Sequence, residues 1–360
     1  MTTTAVSRRS FVTGAALGSA ALLVRPLASL GRAAEGGVAA QGSLAAQRGR
    51  AEFTFTQFHN QTAESFLHRR IADMWAAIAA ETDGRVETQV FPLNNRVAGS
   101  DPAALKMLVA GEIQFFTLMG GVMSQVVPAG DVQQVPFAFR SAAHAHEAMD
   151  GALGTYIREE MAAKGIHGFP VGAFDNGIRQ VTAVTRPVAV PADLEGMKMR
   201  VPNGALFRDM FTTLGAVPVT VNSIDIYAAL QDGRADAQEN PLALVDSFRL
   251  YEVVKYISMT NHMWSGFNQM AHLPTWQRLP ADIQEIIERN VAQAVRLQRQ
   301  DQAEANGNLR PELIRRGLAF NEVDPAPFRA ALSGFYRTWK DTLGTRCWSL
   351  LEEAAGSSLS

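Results

Sequence analysis

The stretch 175–241, DNGIRQVTAVTRPVAVPADLEGMKMRVPNGALFRDMFTTLGAVPVTVNSIDIYAALQDGRADAQENP, constrains the fold of this chain more than any other. Strand-like runs over 178–184 and 197–201 alternate with helical patterns, one carrying Phe207, Met210, Phe211 and Leu214 on a single face and another over 224–231. Such alternation specifies an α/β layer architecture. Pro202 stops the 197–201 run, because proline has no N–H to give a ladder. Arg200 is thereby left at the carboxyl end of a strand, where open α/β sheets present their ligand-facing groups. A guanidinium there offers a rigid fork of donors that matches a carboxylate. Arg179 lies on the preceding run. Local chemistry alone leaves both arginines open to a plainer role as surface ion pairs.

The N-terminus is different in kind. Ser7-Arg8-Arg9-Ser10-Phe11-Val12 precedes a short apolar run over 15–24, then Arg25 and the small residues around Ala33 and Ala34. This is the outline of a cleaved twin-arginine export signal over 1–34, with Thr13 at the position usually held by lysine. No apolar run approaches the ~20 residues a membrane span needs, so direct membrane insertion is not expected. Removing 1–34 takes away four arginines and moves the formal charge from −2 to −6. An acidic mature chain is a poor partner for nucleic acid or anionic lipid. An anion bound by it must be held by local arginines against the global field. Cys347, the single cysteine, excludes an internal disulfide.

Residues 35–50, rich in Gly, Ala and Gln, read as a flexible leader. Order is expected from Phe53, where alternation begins. A helix over 62–81 places Leu67, Ile71, Met74, Trp75 and Ile78 on one face and closes at Gly84. A strand over 86–91, a helix beginning with Asp101 as N-cap and Pro102 as N1, and a strand over 113–118 complete a βαβαβ start. Helices over 142–149 and 153–164 and a strand over 166–173 lead into the central stretch. Beyond it come a strand over 267–272, a helix over 280–309 and, in 313–343, a further strand and helix. At 1.5 Å per residue the 280–309 helix reaches ~45 Å, longer than one lobe is wide.

The search for chemistry is largely negative. His144 and His146 are two apart on a helix and so point to different faces. No HExxH, phosphate loop, GxGxxG or nucleophile elbow is present, and neither a catalytic residue, a metal nor a cofactor is expected. His262 reads as a hydrogen-bonded core or rim histidine. Asn240, before Pro241, has the residue types of an N-cap and N1 pair, and Asn203 also precedes a helix.

The motifs NGIRQVT (176–182), PADLEGMKMRVPN (191–203), LGAVPV (214–219), YAALQDG (227–233) and QENP (238–241) resemble those of the solute receptors of TRAP (tripartite ATP-independent periplasmic) transporters, C4-dicarboxylate-receptor-like. The resemblance extends to VPFAFR (135–140) and TNHMWSGF (260–267) and covers nearly the whole exported chain. It implies a two-lobed periplasmic-binding-protein-like α/β fold with hinge strands and a long helix spanning both lobes. Lobe I would comprise 51–176 plus 265–305 and lobe II 177–264 plus 306–355. It further implies that Arg179 and Arg200 face the cleft, with Arg200 forming the principal ion pair to a small organic acid. Asn240, and with less support Asn203 and Asn60, would also meet that ligand. The implied partner is a TRAP membrane permease driven by an ion gradient. The sequence departs from the family at Ala237, where glycine is common, and over 93–100, which lacks the usual glycine-leucine turn.

Two rival readings remain at this level: a periplasmic enzyme acting on a carboxylated substrate, and a receptor docking onto a sensor kinase. The acid itself is also open. Strand alternation puts Trp264 on the face opposite Met263 and Phe267. Trp264 could be hinge packing, or an aromatic wall favouring an aromatic or long apolar acid. A small dicarboxylate would instead place its second carboxylate on Arg179.

Overall fold

The computed structural model describes residues 51–359; the expected export signal and leader lie outside the described residues. The first half runs β1 (Phe53–His59), α1 (Phe66–Glu81), β2 (Val86–Phe91), α2 (Ser100–Ala110), β3 (Phe115–Met119), α3 (Gly120–Met123), α4 (Ala142–Asp150), α5 (Ala152–Ala162) and β4 (Ile166–Ala183). The central stretch then supplies β5 (Lys198–Val201), α6 (Ala205–Thr213), β6 (Val217–Thr220), α7 (Ile226–Gln231), β7 (Ala237–Asn240) and α8 (Leu242–Ser247). The chain ends with β8 (Tyr256–His272), α9 (Leu273–Gln277), α10 (Ala281–Arg315), β9 (Ala319–Glu322), α11 (Pro325–Ala331), α12 (Ser333–Leu343) and α13 (Thr345–Ala355).

Local signals place many of these elements. Ser65 caps α1, its Oγ accepting the His68 N–H at 3.1 Å, and the five apolar residues expected on one face are the buried ones. The start of α2 differs from expectation. Gly99, at φ 82°, precedes it and Asp101 is its second residue, its carboxylate accepting from the side chains of Asn60 and Asn94. The 92–96 loop is a tight turn in which Leu93, Asn94, Asn95 and Arg96 all hold positive φ between 49° and 55°. That conformation is unfavourable for residues carrying a Cβ. Asn94 anchors it through hydrogen bonds to Asp101 and Ser100.

The strands form one sheet in the order β2-β1-β3-β8-β4-β7-β5-β6, with β9 added to β8. The β2-β1-β3 group is parallel within itself and joins the 267–271 end of β8, while β7-β5-β6 joins the 180–183 end of β4. β4 and β8, of 18 and 17 residues, run antiparallel through both groups. They are the hinge strands of a two-lobed fold. The runs expected at 166–173 and 178–184 are one strand, because pairing with β8 continues through an irregularity at Asp175/Gly177, where Gly177 adopts φ 108°.

α10 spans 35 residues and continues past the expected end through Pro311. Ile283, Ile287, Val291 and Val295 bury its first half, and it packs on α1, β4 and α8. Its polar second half is not exposed all round. Gln298 clasps the hinge, its Oε1 accepting the Asp175 N–H at 2.8 Å and its Nε2 donating to the Asp175 carbonyl at 2.6 Å. α13 rests on α4 and α5, with His144 Nε2 at 2.7 Å from the Ala354 carbonyl, so the tail helices lie against elements that the sequence reading assigns to the other lobe.

Candidate functional site

Arg200 is the penultimate residue of β5 and is 2% exposed. Its Nε and Nη2 both donate to the Val221 carbonyl, at 2.9 and 2.6 Å. This fixes the guanidinium plane and leaves the Nη1 edge uncommitted. Among the described residues no carboxylate pairs with it. Burial, with Arg179 adding repulsion, pushes its pKa down to about 10, against the pull of Glu239 and Asp101. A buried cation with no directly bonded counter-charge is unfavourable.

Arg179 is in the opposite condition. Its Nε and Nη2 hold both oxygens of the Glu239 carboxylate, and Nη2 also donates to the Glu239 carbonyl at 2.7 Å and Asn240 Oδ1 at 2.9 Å. Nη1 reaches Ser265 Oγ at 3.2 Å. His262 Nε2 lies 3.2 Å from Glu239 Oε2, and its Nδ1 2.8 Å from Thr260 Oγ1. Burial opposes ionisation of Glu239, but Arg179 and His262 outweigh it and hold the carboxyl below its ordinary pKa. Burial keeps the His262 imidazole below its own ordinary value. Arg179 is therefore matched from within by Glu239, which weighs against the alternative in which it takes the second carboxylate of a small dicarboxylate.

A pocket gathers these groups between the lobes. Arg179, Arg200, Asn240, Asn60, Asp101, Ser223 and Asn176 give it polar walls, and Met119, Pro202, Ile226, Leu244 and Phe267 apolar ones. Asn60 bridges the floor, donating to Asp101 at 2.9 Å and accepting from Gln61 at 3.0 Å. Burial raises the Asp101 pKa despite hydrogen bonds from Asn60, Asn94 and Ser100. Ser223 Oγ is buried and without a partner.

Other expectations need correction. Asn240 ends β7 rather than capping α8, where Pro241 holds the N-cap position, and its side chain serves Arg179 and Gln238. Asn203 does not line the pocket; Gly204 precedes α6, and the Asn203 carbonyl accepts from Gln125 at 2.8 Å. Trp264 points to the other face of β8, where its Nε1 donates to Asp175 Oδ1 at 2.8 Å and its ring meets Phe139 and His146 edge-on. Phe267, on the alternate face, supplies the aromatic wall. Asp101, read as a helix cap, and Ser223 are pocket residues that sequence reasoning passed over. The DP pair masked the first, and nothing local marks the second. Among the described residues no group of His, Cys, Asp and Glu could hold a metal ion.

Residues 58–342 match the family model for bacterial extracellular solute-binding proteins, family 7. The chain belongs to this family. A solute-binding protein of Roseobacter denitrificans is 33% identical over 280 residues, covering 78% of this chain and 85% of the relative. Its crystal structure, with bound L-galactonate, aligns at TM-score 0.74 and 29% identity over 81% of this chain and 99% of that one. A TRAP periplasmic solute-binding protein of Sulfitobacter sp. NAS-14.1, with bound β-D-galacturonate, aligns at TM-score 0.80 and 26% identity, covering 84% of this chain and all of the other. The C4-dicarboxylate-binding periplasmic protein of Rhodobacter capsulatus is 27% identical over 73% of this chain and 75% of its own length. This family 7 receptor is thus a TRAP-type extracytoplasmic solute-binding protein, and no helix among its described residues is long and apolar enough to cross a membrane.

Proposed function

We propose that the protein captures an acid with a single carboxylate and several hydroxyls, a sugar acid of the uronate or aldonate class, holds its carboxylate on Arg200, and delivers it unchanged to a TRAP membrane permease. The observation that carries this is the charge balance of the pocket. Arg200 is a buried cation lacking a carboxylate partner, whereas Arg179 is already matched by Glu239. One carboxylate is therefore neutralised and a second finds no free cation among the residues lining this pocket. Asn60, Asp101, Asn176 and Ser223 supply the donors and acceptors that hydroxyl groups need. The L-galactonate and β-D-galacturonate held by two similar structures fit the same class.

A thermal-shift panel on the mature protein tests the reading. D-galacturonate, L-galactonate and D-glucuronate should include the strongest stabilisers, with succinate and malate at least tenfold weaker in half-saturating concentration. Succinate or malate binding tighter than every sugar acid would overturn it. Export through the twin-arginine route belongs to the same proposal and rests on Arg8 and Arg9 ahead of the apolar run. Changing both to lysine should strand precursor in the cytoplasm. Undiminished appearance of mature protein in the periplasm would reject that route.

A further inference from the structure

A second chamber lies beside the carboxylate pocket, on its hinge side. The first turn of α1, the irregular Asp175 and Asn176 segment of β4, residues 243–247 in α8, and Gln298 and Gln302 of α10 enclose it. Gln61, Asn176, Leu244 and Phe267 line both spaces, so the two share a wall.

Gln298 is committed at both ends to the Asp175 backbone, but the other three amides of that chamber are half used, all in the same sense. Gln61 donates through Nε2 to Asn60 Oδ1 at 3.0 Å, Asn176 through Nδ2 to Ser265 Oγ at 2.8 Å, and Gln302 through Nε2 to the Asn176 carbonyl at 3.4 Å. None of the three amide carbonyl oxygens accepts from a described group. The three side chains are nonetheless deeply buried, at 3%, 3% and 4% exposure. Two orientations are set from outside. Asn60 turns its own NH2 to Asp101 and so presents an oxygen to Gln61, and a backbone carbonyl can only accept from Gln302. Open acceptors on residues that line a chamber are positions that hydroxyl donors can satisfy.

We infer that this chamber seats the hydroxylated tail of the acid, so that the receptor selects for chain length, favouring six-carbon polyhydroxy acids over three- and four-carbon ones. The inference rests on the single-carboxylate reading above: Arg200 fixes one end, and the tail passes Phe267 and Leu244 into the second space. Ala243 and Gln302 line the second chamber and not the first, which lets length be tested apart from carboxylate capture.

Calorimetry of the mature protein with D-glycerate, D-erythronate and L-galactonate is the test, run on the wild type, Ala243→Phe, Gln302→Leu and Arg200→Ala. The wild type should bind the six-carbon acid at least tenfold more tightly than the three-carbon one. Ala243→Phe, which fills the chamber, should erase most of that difference while leaving glycerate within about threefold. Gln302→Leu should weaken only the longest acid, and serves if the bulkier variant does not fold. Equal affinities along the series, lost together in Arg200→Ala, would overturn the length inference while leaving the single-carboxylate reading intact. Absence of binding to all three acids would overturn both.

Discussion

Arg179 and Arg200 share a charge and a pocket, and their partners give them different work. The Arg179–Glu239 pair is fully buried, and such a pair stabilises little in net terms but is costly to break. His262 extends it across β8, so the pair ties β4, β7 and β8 where the lobes meet. Asp131 shows a comparable burial without compensation. It is 6% exposed, its Oδ1 has no partner, and burial pushes its pKa up to about 7, with Asp209 adding to the rise and Ser124 and Arg208 opposing it. The unfolded chain releases this proton near the ordinary carboxyl value, about 4. Between there and about 7 the folded state holds a proton that the unfolded state has lost. Stability from this group is thus complete below about pH 4 and declines as pH rises to about 7. Asp131→Asn should flatten that decline by up to about 4 kcal/mol, an upper bound at 1.36 kcal/mol per pKa unit. Urea unfolding of both proteins at pH 4.5 and 7.5 measures it, and an identical pH slope would show that Asp131 titrates normally.

At the scale of elements, legibility followed how local the cause was. The α1 face, the Pro202 stop after β5 and the apolar first half of α10 could be read directly, because periodicity and proline act within a few residues. β7 could not. Its Ala-Gln-Glu-Asn run is polar yet wholly buried, because Gln238 is satisfied by Thr182 and Glu239 by Arg179, partners some sixty residues away in sequence. The same distance hid the neutralisation of Arg179. The long reach of α10 past Pro311 and the burial of Gln298 and Gln302 were likewise tertiary, since those amides serve the hinge backbone of β4. Strand alternation correctly set Trp264 and Phe267 on opposite faces, but it could not say which face met the cleft. The left-handed turn at 92–96 had no glycine to announce it. Asn94 holds it by bonding to Asp101, which ties that loop to the pocket floor.

For the whole molecule, β4, β8 and α10 traverse both halves of the sheet and leave each lobe its own set of shorter strands. Arg200 comes from β5 on one side of the cleft, while Asn60, which directly follows β1, and Asp101, in α2, come from the other. In the proposed reading, a carboxylate on Arg200 whose hydroxyls reach Asn60 and Asp101 would bind the closed arrangement better than an open one, and that difference would drive closure. The account therefore turns on Arg200. Calorimetric titration of the tightest-binding sugar acid into wild type, Arg200→Ala and Arg200→Lys tests it most directly. Loss of the guanidinium should cost ~2–5 kcal/mol in binding, the scale for truncating one member of a buried charge pair. Lysine should recover little, because it keeps the charge but loses the planar fork that Val221 orients. An Arg200→Lys protein binding within about threefold of wild type would contradict the account.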